Sequence, residues 1–318
     1  MSIFARRRAD AAEGTGSAVP DEQWNRSWDR PIVVDEPIME FEPRPPTGSN
    51  RPDTICNAWS TEHFTVRAAA VRGYDHRYRG LPRQDELAVR VHRPTQAVVF
   101  AVADGVSAAT HADRGAELAC LAAVKTLSDG LDAGPPDRLP WQEMLQRAGR
   151  WLTREAVRLI GVADPSPAEV ERTLGTTLVA GVVLRTERGD IVRLVQVGDS
   201  CGWLLRQGRF TPLLPHKGGV GAVVLSSAVE PLPRIPAEVR PVEVPLPADG
   251  ALIVATDGVG DPLGDGRGLV GRLFADALHT PPSALGLARV LDFSRETFDD
   301  DRAAVVIWPA ARQAGAAP

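Results

Sequence analysis

The order of segments along this chain predicts an α+β fold, with sheets whose outer faces carry grouped helices. Three observations carry that expectation. Strand-length apolar runs open the ordered part, two long helical patterns follow together, and strands then return before two further helical stretches and a last strand. A doubly wound parallel sheet would alternate strand and helix instead. No internal repeat interrupts the order.

Residues 1–60 mix Pro, Gly, Ser and charges without sustained periodicity, which predicts a flexible or loosely docked arm. Trp24, Trp28 and Trp59 are costly to leave in water, so PIVVDEPIMEFEP at 31–43 is expected to pack on the domain or on a partner. The domain itself is expected over 61–310, with a disordered tail at 311–318.

FTVRAAAVRG from Phe64 alternates as a half-buried strand does, and ELAVRVH at 86–92 does likewise. AVVFAVA at 97–103 is an apolar run of strand length, as a buried strand would be. Leu118, Leu121, Ala122, Val124 and Leu127 recur near helical spacing within Ala112 to Leu131, with Gly130 as a stop. After a loop marked by Pro135, Pro136 and Pro140, the residues Met144, Leu145, Trp151, Leu152 and Val157 predict a second helix, Trp141 to Ile160. Strands are expected at Gly175 to Thr186, Ile191 to Val197 and Cys201 to Leu205. ERGD at 187–190 joins the first pair as a hairpin, and Gly198-Asp199-Ser200 is expected to join the second. The segment 211–250 is rich in Pro and Gly and reads as a mobile flap; Gly218, Gly219 and Gly221 fit the flap better than a phosphate loop, having no Lys-Ser pair after them. A strand at 251–256, helices at Leu269 to Leu278 and Ser283 to Thr297, and a last strand to Trp308 complete the chain.

A net charge of −5 argues against nucleic acid as the main partner. Cys56, Cys120 and Cys201 form neither a disulfide framework nor a zinc pair, which fits a reducing compartment. The start MSIFARRRADAAEG places Arg6 to Arg8 after a token apolar stretch, the reverse of a secretory signal, and no window approaches the ~18 apolar residues of a membrane span. A cytoplasmic protein is therefore expected.

Chemistry enters where apolar runs meet acids. The run at 97–103 ends on Asp104-Gly105, the run ALIVAT at 251–256 ends on Asp257-Gly258, and FDDDRAAVVIW at 298–308 opens on acids. One Asp-Gly pair reads simply as a turn. Three strand ends each delivering an aspartate suit a hard divalent cation, which takes oxygen ligands. Glycine after the aspartate is expected to permit a sharp turn and to bring its carbonyl near an ion.

The ordered set GYDHRYRGLPRQDELAV, VFAVADGVS, GTTLVAGVV, VQVGDS, IVATDGV and DDRAAVVI resembles the signature series of the metal-dependent protein phosphatases of type 2C, in a bacterial form, across residues 65–308. The resemblance implies a four-layer sandwich of two antiparallel β-sheets flanked by α-helices, with two ions, Mn2+ or Mg2+, at one end. It implies that Asp104 bridges both ions, that the carbonyl of Gly105 binds one, and that Asp257 and Asp300 complete the metal ligands and are catalytic with Asp104. A bridging metal-bound hydroxide would attack phosphorus directly, so no protein nucleophile is needed, in keeping with the lack of an obvious Ser-His or Cys-His arrangement. Gln84 and Asp85 stand where the family often holds metal-bound water, and Asp301 is expected to orient its neighbour. Arg83 and His76, with Arg79 nearby, are the candidates to grip the substrate phosphate.

Several positions depart from the family pattern. Val106-Ser107-Ala108-Ala109 holds no histidine to protonate the leaving group, and His111 lies too far along. Arg172 occupies the place of an acid for a third ion, which leaves that ion in doubt, and Cys201 replaces an arginine. Asp199 is assigned to turn structure. The expected activity is a protein-serine/threonine phosphatase whose partners are phosphoserine and phosphothreonine proteins and a serine/threonine kinase. The alternatives are a catalytically silent member of the fold acting as a scaffold, and an interaction module working through its N-terminal arm.

Overall fold

Eleven strands among the described residues pair only antiparallel, and they form two sheets. The structure is a computed structural model that describes residues 30–48, 51–215 and 231–310; Ile32 onward forms one unit. The first sheet has the order β1-β2-β11-β10-β7-β8, with β1 Thr54–Ser60, β2 Phe64–Val71, β11 Arg302–Pro309, β10 Gly250–Ala255, β7 Cys201–Arg206 and β8 Arg209–Pro212. The second has the order β3-β4-β5-β6-β9, with β3 Glu86–His92, β4 Ala97–Ala103, β5 Leu178–Thr186, β6 Gly189–Val197 and β9 Val242–Pro245.

Alternate residues of the central strands bury into different cores, which explains why those strands read as unbroken apolar runs. Val98, Phe100 and Val102 of β4 meet Leu252 and Val254 of β10 and Val305 and Ile307 of β11 between the sheets. The opposite faces receive helices. Ala97, Val99, Ala101 and Ala103 lie against α2 Ala112–Ala133, α3 Trp141–Ile160 and α4 Pro167–Leu174. Ile253, Ala255, Ala304 and Val306 lie against α5 Asp257–Leu263, α6 Leu269–Ala277 and α7 Ala284–Leu291. The four-layer sandwich is therefore present. α1, Tyr74–Arg79, stands at one end of it, ahead of β3.

Several elements differ from expectation: the sequence reading does not mark α1, α5 or β8, and α7 stops at Leu291 and not at Thr297. β1 falls inside the stretch assigned to an arm; its residues pair with β2 from Thr54 opposite Val71 to Ser60 opposite Thr65, and Trp59 packs against the inter-sheet core. Residues 31–43 pack in part: Val34 is 6% exposed and its N–H donates to the Ser294 carbonyl at 2.9 Å. Trp24, Trp28 and the tail 311–318 lie outside the described residues. Gly198-Asp199-Ser200 is not a hairpin, because β6 and β7 belong to different sheets and the tripeptide carries the chain from one layer to the other. The flap expectation fails for the described part of 211–250: β9 pairs with β6, and Leu232, fully buried, exchanges backbone hydrogen bonds with Thr176. Gly218, Gly219 and Gly221 lie outside the described residues. α4 escaped the hydrophobic pattern because it is short. Its start is nonetheless a capping box, with Ser166 and Glu169 each satisfying the other's backbone N–H.

Candidate metal centre

Asp104 leaves the end of β4, Asp257 opens α5 directly after β10, and Asp199 lies in the crossover between β6 and β7. Each offers a carboxylate oxygen, and the three oxygens lie within 4.8 Å of one another. Two sheets and their connection thus converge on one point. The sequence assigns Asp199 to a turn, and the structure instead brings it into the group.

The threonine and serine motifs hold this point together. The Thr177 hydroxyl accepts from the Asp104 N–H at 2.9 Å and lies 2.8 Å from the Ser200 hydroxyl. Thr176 donates its hydroxyl to the Asp104 carbonyl at 2.8 Å, and the Thr177 N–H donates to the same oxygen at 2.8 Å. Gly198 adopts φ +89°, and a Cβ there would lie 2.6 Å from Thr177 Cβ, so the crossover needs glycine on both counts. Spacing alone carries no signal that GTT and GDS meet, because the contact is made across β5 and β6.

The glycines after the two aspartates serve closeness of approach. Neither Gly105 nor Gly258 has a positive φ. A Cβ on Gly105 would lie 2.5 Å from the Ala112 carbonyl oxygen, and one on Gly258 would lie 1.9 Å from that of Asp301. The expected sharp turn is thus replaced by tight backbone packing.

Burial raises the Asp104 carboxyl well above the usual carboxylate range, and the charges of Asp257, Asp300 and Asp199 add to it. Burial does the same to Asp85, followed by the charges of Asp104, Asp301 and Asp300. Asp300 lies outside the 4.8 Å group and is open to solvent at its rim. The protein atoms packed around its carboxyl and the charge of Asp301 still push it up. Asp85 Oδ2 and Gln84 Oε1 are both buried without a hydrogen-bond partner. Buried oxygens in that state, beside three converging carboxylates, are what a hard divalent cation and its water shell would satisfy. The donor set, all oxygen, fits such a cation, and Asp104, Asp199 and Asp257 are the residues that could hold it.

Asp301 is 1% exposed and accepts three hydrogen bonds: from the Gly73 N–H at 2.5 Å, the Gln84 N–H at 2.5 Å, and His76 Nδ1 at 2.9 Å. It ties α1 and the Gln84-Asp85 turn to the start of β11. Burial pulls the His76 pKa down, but the hydrogen bond and charge of Asp301, with Asp300 and Asp75, outweigh it and the net shift is upward. Next to Asp301, Arg302 is also 1% exposed and donates to the carbonyls of Gly258, Leu291, Phe293 and Phe298. Its guanidinium stacks 3.8 Å from the Phe293 ring centroid, and burial lowers its pKa to about 10. Arg302 lies within the motif DDRAAVVI, but nothing in that motif gives it a role. Its position beside an acid triplet hid an arginine that pins the loop leading to Asp300.

The expectation for the phosphate grip needs correction. Arg83 is 1% exposed, and its guanidinium is directed at the Pro52 and Asp85 carbonyls and at Glu86. His76 is 7% exposed and faces Asp301. Both hold the scaffold of the site and neither presents a free face to a ligand. Arg79 is exposed and pairs with Asp75, four residues earlier, at 2.9 Å. Arg172 is exposed in the last turn of α4, and among the described residues no helix is long and apolar enough to cross a membrane.

Comparison with known proteins places this fold. The family model described as Protein phosphatase 2C matches residues 72–291. No curated protein matches. The solved structure of RsbX in complex with magnesium is 13% identical, with a TM-score of 0.50, and the match covers 80% of this chain and all of that one. The catalytic domain of the serine threonine protein phosphatase PstP, solved with two manganese ions, is 20% identical with a TM-score of 0.50 over 78% of this chain and 99% of that one. The Mycobacterium tuberculosis serine/threonine phosphatase PstP/Ppp is 22% identical with a TM-score of 0.50, covering 77% of this chain and 98% of that one. These likenesses are of fold, while the family model spans most of the chain, so the chain belongs to the protein phosphatase 2C family.

Proposed function

We propose that this chain is a metal-dependent phosphatase of phosphoserine or phosphothreonine in proteins, using two Mn2+ or Mg2+ ions. The observation that carries the reading is the meeting of Asp104, Asp199 and Asp257 within 4.8 Å at the junction of both sheets. Similar folds crystallised with magnesium or with two manganese ions support it. When bound, the ions supply acidification of water and charge neutralisation on the phosphoryl oxygens.

The chain's own residues do the rest. Asp104, Asp199 and Asp257 would hold the cations, with Asp300 and the Gly105 carbonyl beside them. Gln84 Oε1 and Asp85 Oδ2, buried without partners, orient water. Asp301 and His76 hold Gln84 in place from behind. Water adds to phosphorus in line, the seryl or threonyl oxygen leaves with a proton, and inorganic phosphate is released. The leaving oxygen takes that proton from water, since residues 106–109 offer no acid.

Calorimetric titration with Mn2+ and phosphate release from a phosphothreonine peptide, beside Asp257→Asn, test the reading. Binding of two ions with Mn2+-dependent release, both lost in the variant, is the expected result. Two bound ions with no release from any phosphoester would refute catalysis and leave a scaffold.

A further inference from the structure

Outside the carboxylate group, a cleft of about 210 Å³ lies between α1 and residues 38–41, lined by Ile38, Met39, Phe41, Tyr74, Asp75, Tyr78 and Asp299. Its volume equals that of about seven water molecules in the liquid, which suits one long side chain better than a cofactor. The walls are aromatic: Phe41 meets Tyr74 and Tyr78 edge to face, with centroids 6.4 and 5.5 Å apart. Both tyrosine rings already accept cations, since Arg77 lies 5.0 Å from the Tyr74 centroid and Arg44 lies 5.3 Å from that of Tyr78. The acids Asp75 and Asp299 supply negative charge.

The cleft is fixed to the metal centre. The Asp75 N–H donates to the Asp299 carbonyl at 3.0 Å, and the Gly73 N–H is held by Asp301. A Cβ on Gly73 would lie 2.2 Å from the Asp300 carbonyl carbon, so α1 begins directly against the residue expected to reach the cation. Asp299 and Asp300 are adjacent, about 3.8 Å apart at Cα, so the cleft opens within a few residues' reach of a phosphate at the site.

Resting on the phosphatase reading, we propose that this cleft is a specificity subsite for an arginine or lysine side chain of the phosphoprotein, near the phosphorylated residue. The aliphatic stem would lie along Ile38, Met39 and the rings, and the cationic head would meet Asp75 and Asp299. Three cations already border the cleft. Arg77 is paired with Asp292 and Arg79 with Asp75, and Arg44 stacks on Tyr78. The Arg79 side chain is 58% exposed in its pair with Asp75. Exposed pairs of that spacing are weak, so an incoming cation whose stem packs on the rings and whose head also meets Asp299 would displace Arg79.

The test uses the full chain with Mn2+. Arginine, glutamine or leucine is placed in turn at each of the three positions on either side of phosphothreonine in a peptide, with an aryl phosphate as a substrate that cannot reach the cleft. The expected result is a kcat/KM about tenfold higher for arginine than for glutamine or leucine at one position, the size of a buried aliphatic stem joined to a partly screened ion pair. That ratio is expected to fall toward one in Asp75→Asn and in Tyr78→Ala, whose side chains lie at the surface. Equal rates for all three residues at every position, a leucine preference, or an arginine preference that survives both substitutions would overturn the subsite while hydrolysis continues. Hydrolysis of neither peptide nor aryl phosphate would overturn the phosphatase reading and the subsite with it.

Discussion

Replacing Asp301 with asparagine tests whether the site is built from behind as described. The carboxylate is 1% exposed and takes two backbone N–H groups at 2.5 Å and one histidine nitrogen at 2.9 Å. An amide keeps one oxygen and turns its NH2 toward at least one of these donors. Hydrogen bonds to charged groups contribute about 1.5–3 kcal/mol each, and a buried donor left unmet costs about 1–3 kcal/mol. Removing one partner of a buried ion pair costs about 3–5 kcal/mol, so Asp301→Asn is expected to fall in that range. Urea unfolding in EDTA measures it without interference from cations, and a cycle with His76→Gln isolates the pair. A loss below about 1 kcal/mol, with an unchanged dependence on urea, would refute the claim that Asp301 ties α1 to β11.

The His76 pKa is raised on folding, so its contribution to stability is complete below its unfolded value of about 6.5 and is lost as pH rises through the folded value. The unfolding cost of His76→Gln in EDTA should therefore be larger at pH 6 than at pH 9; an equal cost at both would show that the charge of His76 plays no part. Thr177→Val removes the hydroxyl that receives the Asp104 N–H and meets Ser200, for an expected loss of about 1–3 kcal/mol in thermal or urea unfolding. Gly258→Ala would place a Cβ 1.9 Å from the Asp301 carbonyl oxygen and is expected to cost at least about 1–3 kcal/mol, read in the same assay. Asp199→Asn should weaken Mn2+ binding about tenfold or more by calorimetry; unchanged affinity would return Asp199 to the role of a turn residue.

Strands buried on both faces announce themselves, because each residue must be apolar whichever core it enters, and β4 accordingly has the ends that its apolar run indicates. β3 and the helix α3 have the ends that alternation and helical spacing indicate. Asp104 and Asp257 were legible for the opposite reason: a carboxylate at the end of such a run contradicts its surroundings. Asp199 carries no such contrast, since it lies among glycine and serine, where an acid fits any turn. Its place depends on β6 and β7 belonging to different sheets, a fact of long-range pairing that neighbouring residues do not encode. Arg83 and His76 were legible as basic groups close to the site but not in their orientation. Both face inward, toward backbone carbonyls and Asp301, because the turn before β3 needs partners for its own buried groups. β9 is short and alternates exposed with half-buried residues, so the surrounding prolines outweighed its pattern.

The crossover at Gly198-Asp199-Ser200 also bears on mechanical cohesion. The three clustered carboxylates come from the five-stranded layer, the six-stranded layer and the short link between them, so an ion seated among them would rivet two plies together. Filling that seat at a hundredfold excess over its dissociation constant would add about 2.7 kcal/mol to the folded state. Amide protons at the site end of β4 and β10 would then exchange more slowly as the cation concentration rises, while those at the far end of the sandwich would feel the ion only through global unfolding.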